Sequence, residues 1–189
     1  MGSAPSYAKF GQLLVIFVLC AVMLTSLTAG AVPDGLFGAF LAAIMIAIAL
    51  VDARRYIIPN EFTLAALALA LLRAGVVLSD VETHPVAGAL LRAAITAGIF
   101  WLFSIGYRHF RGREGFGFGD VKLLGVAAAW LDWPVLLVAI EGATLAALLT
   151  YLLRQWIYRK PMKGTAILPF GTFLAPFIWV GWLIEALLN

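Results

Sequence analysis

Asp52 and Asp120 are the residues in this chain best suited to chemistry. Asp52 closes an apolar run in Ala49-Leu50-Val51-Asp52-Ala53-Arg54-Arg55-Tyr56-Ile57-Ile58-Pro59-Asn60. Asp120 opens another in Gly115-Phe116-Gly117-Phe118-Gly119-Asp120-Val121-Lys122. Two facing carboxylates share a proton, because like charges in contact do not both ionise cheaply. The ionised partner can take a proton from water. The protonated one can polarise a carbonyl and then protonate a leaving amine. That is peptide-bond hydrolysis with neither metal nor cofactor, and the two titrations belong to the pair. Gly117 and Gly119 allow tight turns and close approach of a substrate strand. Pro59 turns the chain by pushing Ile58 out of helical geometry, and Asn60 is then placed to cap the next helix. Taken singly, either aspartate could be a solvated helix-end acid, and Asp120 could be an N-cap. Their placement together singles them out.

That placement follows from the elements around them. Of 189 residues, 63% are hydrophobic and 12% charged, against roughly 25% charged in ordinary soluble domains. So short a chain cannot bury that much apolar surface in one water-exposed globule, so lipid must be much of its solvent. A spanning helix needs about 20 mostly apolar residues. The candidates are 11–29, 35–52, 61–78, 86–107, 119–131, 134–153 and 166–188. The expected fold is all-α: a polytopic transmembrane bundle of seven spans, with six as the alternative because the fifth run is short. Pro169, Gly171, Pro176 and Gly181 predict a kinked or broken last helix. Residues 1–189 read as one integral-membrane domain without a separate soluble domain. The run ending near Ala29 is long for a signal peptide and reads as a retained first span.

Charge orients the bundle. One set of connections holds Lys9, Arg54, Arg55, Arg108, Arg111, Arg113, Arg154, Arg159, Lys160 and Lys163. The alternate set holds Asp34, Asp80, Glu82 and Asp132, with no Lys or Arg. Cytoplasmic connections carry the basic excess, so the N-terminus is expected inside. Asp52 and Asp120 then fall at the same, cytoplasmic depth. Tyr7, Tyr56, Trp101, Tyr107, Trp130, Trp133, Trp156 and Tyr158 sit near span ends, as an interfacial belt would.

The other reactive residue types offer less. Cys20, the lone cysteine, excludes an intrachain disulfide and a cysteine-based zinc site. His84 and His109 fall on opposite sides and cannot share a metal. Glu61 and Glu114 are the acids nearest the cytoplasmic face that a basic ligand could meet, but Glu61 reads first as a helix cap and Glu114 as a surface loop acid. Glu141 lies inside the sixth span, where an acid is costly, and has no evident partner. The charge pattern does not suggest nucleic acid as a partner.

At these residues the sequence resembles the type IV prepilin peptidases, within the wider group of Gly-x-Gly-Asp membrane aspartic proteases that includes presenilin. Three segments carry the resemblance: Asp52 with Ile58-Pro59-Asn60; Gly117-Phe118-Gly119-Asp120-Val121-Lys122-Leu123; and Leu168-Pro169-Phe170-Gly171-Thr172-Phe173-Leu174-Ala175. The resemblance implies an aspartic endopeptidase of the bacterial inner membrane, with pilin-like precursors as partners. It would remove a basic leader on the cytoplasmic side, after a glycine and before a hydrophobic stretch. Asp52 and Asp120 would be the catalytic pair. Gly117, Gly119 and Pro59 would shape the site, Lys122 would tune the charge of Asp120 or bind backbone, and Pro169 and Gly171 would lie near the cleft. Larger members carry an N-terminal cytoplasmic domain with paired cysteines, and some also methylate the new N-terminus. Nothing here matches that domain, so the chain resembles the short members associated with tight-adherence or Flp-type pili, and methyltransferase activity is not expected. Three other readings stay open: a small transporter, a non-enzymatic scaffold in pilus assembly, and a protease acting within other membrane proteins.

Overall fold

The computed structural model describes residues 6–79, 83–111, 117–158 and 169–188. They form seven helices: α1 (Ser6–Ala29), α2 (Asp34–Arg55), α3 (Asn60–Val77), α4 (Pro85–Arg111), α5 (Phe118–Trp130), α6 (Trp133–Tyr158) and α7 (Phe170–Leu188). Each matches one apolar run. Six are long and apolar enough to cross a membrane, and the protein is multi-pass. The predicted start of α7 at Ala166 lies outside the described residues. Pro176 sits inside α7 without breaking it.

The fifth helix is as short as its apolar run. With 13 residues, α5 is about 20 Å long at 1.5 Å per residue, against a hydrocarbon thickness of about 30 Å. It need not match lipid, because it is the centre of the bundle. Val121 and every residue from Leu123 to Trp130 are buried, as a helix apolar on all faces must be. It still runs from the Asp52 end of the molecule to the opposite end, so the described helices pass through the bundle seven times.

A helix that stops short leaves carbonyls without partners inside an apolar layer. Two arginines from the neighbouring spans supply them. Arg92 Nε donates to Ala128 O at 3.2 Å, and Arg73 Nη1 donates to Trp130 O at 3.3 Å. The Arg73 charge is itself paired, with Nε 2.6 Å from Asp34 Oδ1, and it stacks over the Trp130 ring. Arg92 lies 3.8 Å from Asp132, whose backbone N–H donates to Glu185. Sequence reading placed Asp34 and Asp132 in acidic connections and assigned Arg73 and Arg92 no role. Trp130 is also not part of an interfacial belt. It is fully buried, and its Nε1 donates to Ala66 O at 2.9 Å.

Helices α2 and α7 pack closely because glycine meets aromatic. A Cβ on Gly38 would lie 2.0 Å from the ring of the buried Trp182. Gly142 of α6 meets Phe177 in the same way, at 2.3 Å. Small residues that admit a neighbour's bulk are a common basis of helix association in lipid. Here they set α7 against the helix that carries Asp52.

Candidate active site

Asp52 lies in the last turn of α2 and is 4% exposed. The helix ends at Tyr56, a left-handed C-cap at φ 56° and ψ 33°, whose N–H donates to Asp52 O at 2.8 Å. This is an uncommon conformation for a bulky residue. The chain then runs extended to Pro59, at φ −64° and ψ 139°. Asn60 does not cap α3, since no side chain caps that end. Its Oδ1 instead accepts from Lys122 Nζ, so its amide ties α3 to α5. Glu61 lines the same opening, exposed.

Asp120 is the third residue of α5, and Gly117 is the N-cap. The N-cap alternative for Asp120 is therefore replaced by a place three residues after the cap. The carboxylate reaches back to hydrogen-bond the Gly117 backbone, as the acidic member of a capping box does. Gly117 has an ordinary extended φ of −71°, so no turn demands glycine there. Proximity does: a Cβ would stand 3.2 Å from Asp120 Oδ2. Gly119 is explained similarly, by Ile58 Cβ at 3.2 Å.

The start of α7 joins the two aspartates. The Thr172 N–H donates to Asp52 Oδ2 at 2.7 Å, and its Oγ1 lies 3.1 Å from the same oxygen and 3.4 Å from Ala49 O. The Gly171 backbone hydrogen-bonds Asp120. Successive residues of one helix N-terminus thus hold one aspartate each, where free amides and the helix dipole favour negative charge. A Cβ on Gly171 would lie 2.7 Å from Ile58 Cδ1 and 3.0 Å from Asp52 Oδ2. Pro169 immediately precedes the helix, and its carbonyl accepts from Thr172 N–H at 3.3 Å.

The pair opens into a cleft of about 590 Å³ between the segment from Val51 to Glu61 and the segment from Gly117 to Lys122. Lys122 lines it, but its ammonium goes to Asn60 and over the Phe118 ring. Among the described residues no ion pair joins it to Asp120. Thr172 and Ile58 are site residues that sequence reading did not single out. Thr172 was visible as the residue after Pro169-Phe170-Gly171, and Ile58 only as the residue before Pro59. Glu141 faces outward from α6, and His84 and His109 are exposed away from the cleft. Glu114 lies outside the described residues.

A sequence model described as the type IV leader peptidase family matches residues 39–153. The chain belongs to that family. The match takes in Asp52 and Asp120 and stops before α7. The chain is 36% identical over 142 residues to a prepilin leader peptidase/N-methyltransferase of Dickeya chrysanthemi, covering 74% of this chain and 48% of that protein. It is 34% identical over 147 residues to leader peptidase HopD of Escherichia coli, covering 75% of this chain and 88% of HopD. A prepilin leader peptidase/N-methyltransferase of Pseudomonas aeruginosa is 31% identical over 144 residues, covering 74% and 46%. The chain thus spans about half the length of most of these curated relatives, and most of HopD. No solved structure matches it.

Proposed function

We propose that this member of the type IV leader peptidase family is an aspartic endopeptidase that removes the leader from pilin-like precursors of the Flp type, with Asp52 and Asp120 as its catalytic pair. The observation that carries the reading is the convergence of both carboxylates on Gly171 and Thr172 at the mouth of one cleft. Asp120 is the acid. It polarises the scissile carbonyl. Asp52 takes a proton as water oxygen adds to the carbonyl carbon. The C–N bond then breaks and the leaving amine receives a proton from the pair.

The basic residues sorted to the Asp52 side support a cytoplasmic cleft and a cytoplasmic N-terminus in a bacterial inner membrane. Gly117, Gly119, Pro59, Pro169 and Gly171 shape the site, and Lys122 orders its rim through Asn60. The whole of residues 1–189 acts as one domain. Only the peptidase half of the relatives' double name enters this proposal.

Co-expression with a Flp-type prepilin tests it. The wild type should shift the precursor on a gel, while Asp52→Asn and Asp120→Asn, folded in the membrane, should leave it uncut. Normal cleavage by either variant would remove that residue from the mechanism.

A further inference from the structure

A second cavity of about 540 Å³ lies beside the cleft. Its walls are α3 and α4, and its floor is Gly125 and Val126 of α5. Asn60, Phe118 and Lys122 line both spaces, so one runs into the other. The groove is polar only at that junction, where Asn60, Thr63 and Lys122 stand. Beyond it the lining is Leu64, Leu67, Leu90, alanines and valine. From Asn60 to Leu67 it extends about 10 Å along α3, close to two helical turns. Leu64 is 65% exposed and Leu90 45% exposed, so the side away from α5 is open.

We propose that this groove docks an apolar, helical segment of the same precursor whose scissile bond lies at Asp52 and Asp120. The inference rests on the peptidase reading above and adds where the rest of the substrate sits. A polypeptide leaving the cleft past Phe118 meets polar groups first and apolar walls afterwards. At membrane depth, backbone with no water must satisfy its own hydrogen bonds, so the segment enters as a helix. Ala93, Ala94 and Ala97 keep the α4 wall low, which lets a helix backbone come close. A lipid matches the apolar walls with its chain and the polar entrance with its headgroup, but it does not account for the continuity of the groove with the two carboxylates.

Two substrates separate this docking from catalysis: a full-length pilin-like precursor, and a peptide cut short just after the scissile bond. Ala94→Trp fills the groove from an exposed position outside the cleft. It should lower kcat/KM for the full-length precursor by about tenfold and leave the short peptide unchanged. Unchanged cleavage of both substrates, or an equal fall in both, overturns the proposal while the peptidase reading stands. Failure of the wild type to cut either removes both readings.

A cross-link provides the second measurement. In a Cys20→Ser, Asp52→Asn background, Leu64→Cys should form a disulfide with a cysteine placed just beyond the scissile bond of the precursor. Leu152→Cys, on the exposed face of α6, should not. No cross-link at position 64, as when lipid fills the groove, or equal cross-linking at both positions, overturns the docking.

Discussion

At the residue scale, one helix end holds the two acids of the candidate site. Asp52 receives the amide of Thr172, and Asp120 receives the backbone of Gly171 and of Gly117. Thr172 donates twice to the same Asp52 oxygen, through its N–H at 2.7 Å and its hydroxyl at 3.1 Å. Thr172→Val removes the hydroxyl donor and keeps the amide, so on the proposed mechanism it should slow precursor cleavage several-fold while the protein stays folded in the membrane. Cleavage at the wild-type rate would show that the hydroxyl does not help to hold Asp52.

At the element scale, the site needs α2 and α7 at a fixed distance, because one carries Asp52 and the other the groups that hold it. That distance is set at the far ends of both helices by Gly38 against Trp182. Gly38→Ala would place a methyl 2.0 Å from a fully buried ring. Overpacking of this kind costs about 1–3 kcal/mol. The variant should unfold at lower temperature and cut precursor more slowly, while Gly11→Ala, with nothing within 4 Å of the added carbon, should change neither. A Gly38→Ala protein with wild-type stability would mean that the two helices slide past each other freely. The α2–α7 contact was only partly legible beforehand. Glycines in apolar runs are easily seen, but which aromatic each one faces depends on helix rotation, and no periodicity in runs this uniformly apolar reports it.

At the scale of the whole molecule, two polar ends are joined by a short central helix. One end is the aspartate cleft. The other is the group of Asp34, Arg73, Arg92, Asp132 and Glu185 that completes α5. Removing one member of a buried ion pair leaves a charge uncompensated, at about 3–5 kcal/mol. Arg73→Met should therefore lower the unfolding temperature markedly, and Asp34→Asn combined with Arg73→Met should recover part of the loss. If the double variant is no better than Arg73→Met alone, the Asp34 pairing is not what stabilises α5.

The sequence by itself determined the number of helices, the sorting of charge and the placement of Asp52 and Asp120 at one end of the bundle. These depend on composition and on the length of apolar runs, which are local quantities. Tertiary structure decided the rest. It made the fifth run a shielded core helix, turned Trp130 inward, sent Lys122 to Asn60, and brought Thr172 to Asp52. Each of those depends on which faces of different helices meet. In a chain apolar on nearly every face, that choice is made by shape and by a few buried polar partners, and neither is written in the order of residues along one helix.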